Sequence, residues 1–114
     1  MDGETRTLES TLQELNNGLR ELYGERHRGL VLYGSHARGD ADEGSDVDLL
    51  LLLEGEVGIG REIRRTSGLV AALSLEVDRV LSLTPVNVQD YRVSSDPYLV
   101  NARREGRLLS PATV

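Results

Sequence analysis

The run of five leucines from Leu49 to Leu53 is the feature that most restricts how this chain can fold. Alternate side chains of a β-strand point to opposite faces, so Leu50 and Leu52 would share one face and the other three leucines the opposite face. A strand that is apolar on both faces is typical of a sheet that is covered on both sides. The run is far shorter than the roughly 20 residues that a membrane-spanning helix needs, so it predicts a buried strand over residues 47–53.

Hydrophobic spacing and turn signals predict the other elements. Leucines three and four residues apart between Leu8 and Leu22 form one face of an amphipathic helix, which Gly24 ends. Further along, the pattern predicts a strand over residues 30–33, a helix over 61–73, a strand over 76–83, a short helix from 84 towards 91, a helix over 97–105 and an edge strand over 107–109. This order predicts an α/β or α+β fold with one sheet and helices packed on it.

Composition narrows the class of protein. The 114 residues suit one modest core, and we expect a single domain over residues 1–114. A formal net charge of −6 argues against binding of duplex nucleic acid. All 13 basic residues are arginine, which excludes a lysine-dependent phosphate loop, and the absence of cysteine excludes disulfides and thiolate metal sites. The N-terminal segment lacks the pattern of a signal peptide, so we expect a soluble, cytoplasmic protein without membrane association.

Two aspartates stand at the start of the leucine strand. Asp46 and Asp48 would point the same way, with Cα atoms ~6.6 Å apart. Two carboxylates at ~5 Å repel by roughly 3 kcal/mol at an effective dielectric of ~20, and a divalent cation between them removes that repulsion. Mg²⁺ prefers such oxygen ligands and leaves positions open for substrate phosphates.

A third carboxylate from a neighbouring strand would complete such a site. Asp78 follows Asp48 by one strand–helix–strand crossover of about 30 residues and is the candidate, with Glu76 on the same strand face as the alternative. Three carboxylates around two cations, without a cysteine or lysine nucleophile, indicate phosphoryl or nucleotidyl transfer.

The pair Gly34-Ser35 supplies the other half of the pattern. Gly34 would end a strand where bare backbone can approach a ligand closely, and Ser35 would cap a short helix whose amides and hydroxyl bind an anion. Arg38 would pair either with a phosphate or with one of the acids in the following loop. Taken alone, each of these short motifs is more often a turn or a solvated loop, and their combination is what indicates a nucleotide site.

The segment "GSHARGDADEGSDVDLLL" resembles the minimal nucleotidyltransferase (MNT) branch of the DNA polymerase β-like nucleotidyltransferase superfamily. The resemblance extends over roughly residues 28–83. It implies a small mixed sheet with helices packed mainly on one face. It also implies that Asp46, Asp48 and Asp78 bind two Mg²⁺ ions, and that Gly34 and Ser35 hold the phosphates of ATP or another nucleoside triphosphate.

The resemblance further implies a partner. Members of this branch pair with a separate helical HEPN-domain protein as antitoxin and toxin, and some transfer AMP from ATP to a tyrosine hydroxyl of that partner. We therefore expect a Mg²⁺-dependent transferase that acts on a hydroxyl of a protein partner. The alternative is a catalytically weak module that binds nucleotide and metal and neutralises its partner by direct contact.

Leu50 and Leu52 raise a second expectation about partners. If the helices lie mainly on one face of the sheet, these leucines and Val80 form an apolar floor beside the acids that is only partly covered. Exposed apolar patches usually mark interaction sites, so the chain would self-associate or need a partner. The alternative is that the C-terminal helix alone buries Leu50 and Leu52.

Overall fold

The computed structural model describes residues 7–109. The elements, in chain order, are α1 (Leu8–Tyr23), a 3₁₀ turn (Gly24–Arg26), β1 (His27–Tyr33), α2 (Ser35–Arg38), β2 (Val47–Leu53), α3 (Ile59–Val77), β3 (Leu81–Asn87), α4 (Val88–Val93), α5 (Pro97–Glu105) and β4 (Arg107–Leu108). The predicted α/β class is confirmed, and β2 and α5 have the predicted bounds. The single-domain range of 1–114 stays a prediction. Within residues 7–109, no helix is both long and apolar enough to cross a membrane.

The four strands form one mixed sheet in the order β3-β2-β1-β4. The leucine strand β2 is central; it runs antiparallel to β1 and parallel to β3. The short edge strand β4 pairs antiparallel with β1, as its position after α5 predicted. Because β1 and β2 are antiparallel, the end of β1 lies beside the start of β2, where the two aspartates stand.

The first face of the sheet carries the larger core. The odd-numbered leucines of β2 pack there against buried side chains of α1 and α3. The buried members of this first core are Leu12, Leu15, Leu19, Tyr23, Leu30, Leu32, Val47, Leu49, Leu51, Leu53, Leu73 and Leu81. The regular leucine spacing of α1 is therefore a core-packing pattern.

The second face is covered by the two short helices α4 and α5. Leu50 and Leu52 are 0 % and 4 % exposed, because Val88 of α4 and Leu99 of α5 pack over them in a second core. The predicted apolar floor for a partner is therefore wrong, and burial by the C-terminal elements, the alternative, is correct. Val80, the third member of that floor, is exposed but precedes β3. Helices thus lie on both faces, with the two long ones on the first.

The strand predicted over residues 76–83 is also wrong. Helix α3 continues to Val77, and Asp78 ends it with a left-handed backbone at φ 56°. Strand β3 begins only at Leu81. In the residue before it, the Val80 carbonyl accepts a 2.9 Å hydrogen bond from the Val47 amide. The alternating apolar and polar residues of this segment suit a last helical turn as well as a strand. The apolar side of the end of α3 packs on the first core, and this packing favours the helix over the strand.

A buried carboxylate joins α3 to α1. Glu62 of α3 is fully buried and accepts hydrogen bonds from the Tyr23 hydroxyl at 2.9 Å and from the Gly58 amide at 3.2 Å. The Arg61 guanidinium also donates to it, at 2.9 Å. Burial alone would raise the pKa of Glu62, but these donors outweigh it and lower that pKa below its ordinary value. Burial and the Glu62 contact in turn raise the pKa of Tyr23 to about 12.

Candidate active site

The candidate site lies where the end of β1 meets the start of β2. The sheet register pairs Tyr33 with Asp48, so the Gly34-Ser35 turn that follows Tyr33 comes directly beside that carboxylate. Two motifs that are separated by ten residues in the sequence are therefore brought together by one antiparallel strand pair. This is the juxtaposition that the sequence predicted.

Gly34 lies directly beside Asp48. Its backbone has φ 78° and ψ −155°, a region that only glycine adopts readily. A Cβ atom built on Gly34 would clash with the Oδ2 atom of Asp48. The backbone angle therefore favours glycine at this position, and any side chain here would also have to displace the Asp48 carboxylate.

Ser35 begins helix α2, with Gly34 as its N-terminal cap. The Gly34 carbonyl accepts the amides of Ala37 and Arg38, each at 3.1 Å, which closes the turn. The predicted roles differ by one position: Gly34 is the capping residue, and Ser35 is the first helical residue. The first amides of a helix have no partner within it, so the backbone here still presents donors to an anion.

The two aspartates differ in their surroundings. Asp46 is exposed and precedes β2, whereas Asp48 is partly buried within it. Burial and the charge of Asp46 raise the pKa of Asp48, and the positive charges of His36 and Arg38 oppose that rise. Repulsion from Asp46 is the second cause of this shift, in line with two carboxylates that stand two residues apart at the start of β2.

Arg38 forms ion pairs with two acids. Its guanidinium donates to Oδ2 of Asp40 at 3.3 Å and to Oε1 of Glu105, in α5, at 3.1 Å. Of the two partners predicted for Arg38, the loop acid is therefore the one present in the structure, and binding of a phosphate stays a prediction. The contact with Glu105 could not be read from the sequence, because the two residues are 67 positions apart.

Hydrogen bonds fix the conformation of the acidic loop between α2 and β2 near Asp46. The Asp42 carboxylate accepts the Gly44 amide at 3.1 Å and the Ser45 hydroxyl at 3.0 Å, which closes a tight turn before Asp46. His36 lies 3.2 Å from the Ser45 carbonyl, so α2 is tied to the residue that precedes the acidic pair. The sequence gives no sign of this contact, because it depends on the conformation of the loop.

The structure does not bring the predicted third acid to β3. Asp78 is exposed at the end of α3, three residues before the strand begins, and Glu76 lies within the helix. Over residues 7–109, no group of three or more histidine, cysteine or acidic side chains is placed to hold one metal ion. The assignment of Asp78 stays a prediction, but the strand position on which it was based is wrong.

The donor set agrees with Mg²⁺ in its chemistry. Asp48 stands on β2 and Asp46 two residues before it, and Mg²⁺ commonly takes one or two protein carboxylates and completes its ligands with substrate phosphates and water. Tyr33, which the sequence reading did not single out, borders the same place: burial and the nearby charge of Asp48 raise its pKa.

A family model for the nucleotidyltransferase domain matches residues 12–98, a range that includes the Gly-Ser turn and both aspartates. The chain belongs to this family. The family resemblance carried by the motif is therefore confirmed, as is the prediction of a nucleotidyltransferase.

Known relatives of this nucleotidyltransferase carry more specific names. The protein adenylyltransferase MntA of Thermococcus cleftensis is 39 % identical over 74 residues, which are 65 % of this chain and 73 % of that protein. Among solved structures, a chain of a toxin–antitoxin crystal structure with AMP-PNP superposes with a TM-score of 0.65 at 19 % identity, over 94 % of this chain and 76 % of that one. A chain from the complex of the tri-AMPylated HEPN toxin of Shewanella oneidensis with its MNT antitoxin gives a TM-score of 0.51 at 17 % identity, over 86 % and 71 %. At these identities the two structures support the fold.

Proposed function

We propose that this chain is a Mg²⁺-dependent nucleotidyltransferase that transfers AMP from ATP to a hydroxyl group of a helical HEPN-domain partner, as the antitoxin of a toxin–antitoxin pair. The observation that carries the proposal is the proximity of Gly34 to the Asp48 carboxylate, which brings the Gly-Ser turn next to the second of the two aspartates. The Thermococcus cleftensis relative, named as a protein adenylyltransferase, supports the reaction, and the structural relatives from toxin–antitoxin complexes support the partner.

The roles of the residues follow from their chemistry. Gly34 lets the triphosphate approach the backbone, and the Ser35 hydroxyl donates to a phosphate oxygen. Asp46 and Asp48 would hold Mg²⁺, which when bound neutralises phosphate charge that two carboxylates would otherwise repel. Arg38 would contact the nucleotide if it leaves one of its two acidic partners. The partner hydroxyl oxygen then bonds to the α-phosphorus, the bond from that phosphorus to the bridging oxygen breaks, pyrophosphate leaves, and the hydroxyl proton passes to solvent or a base.

Three further points belong to the same proposal. Mg²⁺ is the cation, because hard carboxylate oxygens and phosphates are its usual ligands. ATP is the nucleotide, because the relatives' names refer to adenylyl transfer and AMP-PNP. The cytoplasm is the location, because that compartment supplies ATP and the proposed partner.

The test uses ATP labelled either at the α-phosphate or at the γ-phosphate. The purified chain is incubated with Mg²⁺ and a candidate HEPN-domain protein from the same organism, and label on that protein is followed. We expect the α-label alone to appear on the partner, and Asp46→Asn or Asp48→Asn to abolish it while both variants stay folded. Transfer of the γ-label would show a kinase instead, and transfer by the Asn variants would contradict the proposed roles of the acids.

A second candidate function is favoured by one observation. The described residues bring only two carboxylates to the site and no cluster of three, which suits a module that binds a nucleotide and acts on its partner mainly by contact. In the same assay, such a module would neutralise the HEPN partner without labelling it. Neutralisation that survives in Asp46→Asn would support this second function.

A further inference from the structure

Ser82 stands on β3 directly beside Asp48. The parallel register of β2 and β3 makes these two residues partners, and neighbouring strands lie about 4.8 Å apart. Along β3, Leu81 and Leu83 face the first core while Val86 faces the second, so Ser82 shares the face of Asp48 and Leu50. Its side chain is exposed. Position 82 is therefore the place on the neighbouring strand from which a side chain can reach the acidic pair most directly.

We propose that Ser82 occupies the position of a third carboxylate, so that this chain holds a nucleotide-bound cation with Asp46 and Asp48 alone. The proposal rests on the proposed function of the site and specifies how many cations that site holds. Asp78, the other candidate, is at the end of α3 and three residues before the first paired position of β3. The segment after Asp78 lies beside the loop before Asp46, where Arg79 donates to the Glu43 carbonyl at 2.8 Å, but Asp78 itself is exposed and precedes the strand that pairs with Asp48.

The hydroxyl groups around position 82 support the same conclusion. The side chains that border Asp48 on this face include Ser82, Tyr33 across β1, and Thr84 two residues further along β3. All three are neutral hydroxyl groups at physiological pH, which can orient a substrate but provide no charge to a second cation. Two carboxylates together with the nucleotide phosphates are a usual ligand set for one Mg²⁺, and a third carboxylate would add negative charge for a second cation.

The inference has a direct consequence for chemistry. A hydroxyl at position 82 is a weak base, whereas a third carboxylate there could accept the proton of the partner hydroxyl. Proton transfer to a positioned base typically contributes 10²–10⁴-fold to rate, so the parent chain would be a slow transferase. Placing an aspartate at position 82 would supply both the missing charge and the missing base.

The test measures binding of Mn²⁺, a paramagnetic substitute for Mg²⁺, by electron paramagnetic resonance. The parent chain, Ser82→Asp and the neutral control Ser82→Asn are each titrated in the presence of an ATP analogue whose α,β-bridge cannot be cleaved. We expect one Mn²⁺ per nucleotide-bound parent chain. Ser82→Asp should bind a second Mn²⁺, or bind the first at least about tenfold more tightly, because it adds a charge within a strand spacing of Asp48. Ser82→Asn should behave as the parent does, which separates the effect of charge from that of size.

Asp78→Asn tests the competing hypothesis, in which Asp78 is the third cation ligand. This test does not depend on the folding of the Ser82 variants. If Ser82 holds the third position, Asp78→Asn keeps parent-like Mn²⁺ binding. Loss of Mn²⁺ in Asp78→Asn comparable to that in Asp46→Asn would overturn the inference, as would Ser82→Asp and Ser82→Asn with equal affinity. A parent chain that binds no Mn²⁺ with the nucleotide would overturn the proposed function as well, so the two failures are distinguishable.

Discussion

Gly34 is the single residue on which the geometry of the candidate site depends most directly. Its glycine-only backbone turns the chain from β1 into α2, and its missing side chain leaves space for the Asp48 carboxylate. The backbone angle alone is enough to explain a glycine at position 34. The same contact makes Gly34 a residue whose replacement should affect binding and not only stability.

Gly34→Ala is predicted to weaken binding of nucleotide with Mn²⁺ and to destabilise the fold. The strained backbone should cost about 1–3 kcal/mol, and the new methyl group must displace Asp48. Gly55→Ala is the matched control, because Gly55 has φ 85° and an added Cβ would meet no atom within 4 Å. Urea unfolding and Mn²⁺ titration check both variants. Equal nucleotide binding by the two variants would contradict the role given to the Gly34–Asp48 contact.

At the scale of elements, the long helices α1 and α3 are joined by a buried hydrogen bond between two side chains. Glu62 is fully buried near the start of α3, and its carboxylate accepts a hydrogen bond from the Tyr23 hydroxyl of α1. Arg61 and Arg65, which are partly exposed, lie within ion-pair distance of the same carboxylate. A buried carboxylate with several donors stays charged, so its contribution to stability depends on pH.

Glu62→Gln is predicted to lose about 1.5–3 kcal/mol of unfolding free energy at neutral pH, the usual contribution of a charge-assisted hydrogen bond. The pKa of Glu62 in the folded chain is lowered, so its contribution is present above its ordinary value of 4.5 and is lost as pH falls through the folded pKa. The gap between Glu62→Gln and the parent should therefore close in acid. Urea unfolding across this pH range measures it, and a gap that is independent of pH would show that the charge of Glu62 is not what stabilises the helix pair.

The sequence predicted some elements well for physical reasons. The leucine run predicts β2 because it is short and apolar on both faces, as a buried strand is. The Asp96-Pro97 start signal and the Gly106 end signal predict α5. The start of β3 was predicted too early in the chain, because an alternating pattern near a helix end does not reveal where the helix stops. The left-handed backbone at Asp78 that ends α3 is rare outside glycine and leaves no clear sequence signal.

The same limits apply to the candidate site. Asp46, Asp48, Gly34 and Ser35 could be grouped from spacing alone, since antiparallel pairing of two strands brings them together. The place of Ser82 beside Asp48 could not be predicted, because it depends on the register of two strands that are separated by a 19-residue helix. His36 and Glu105 are equally dependent on tertiary contacts.

At the scale of the whole molecule, β2 is buried between two cores of unequal size. The second core is small and depends on few side chains, among which Leu99 of α5 is 5 % exposed. Covering this face hides Leu50 and Leu52 beside the site, so the described surface offers no apolar floor at these two leucines. The case for self-association that rested on that floor is removed.

Leu99→Ala is predicted to cost about 2–5 kcal/mol of unfolding free energy, because it leaves a cavity over β2. Leu75→Ala makes the same chemical change at a residue that is 83 % exposed, and it should stay within about 0.5 kcal/mol of the parent. Urea denaturation compares the two. A similar loss in both variants would mean that α5 does not cover the second face in solution.

The most direct test of the central claim is calorimetric titration of the chain with an uncleavable ATP analogue, with Mg²⁺ and then with a chelator. We expect binding that requires the cation and that is lost in Asp46→Asn and Asp48→Asn. Ser35→Ala, which removes one hydrogen bond to a phosphate, should weaken binding about 10- to 150-fold. Binding that is equally tight in the chelator and in all three variants would contradict a nucleotide site built from the Gly-Ser turn and the acidic pair.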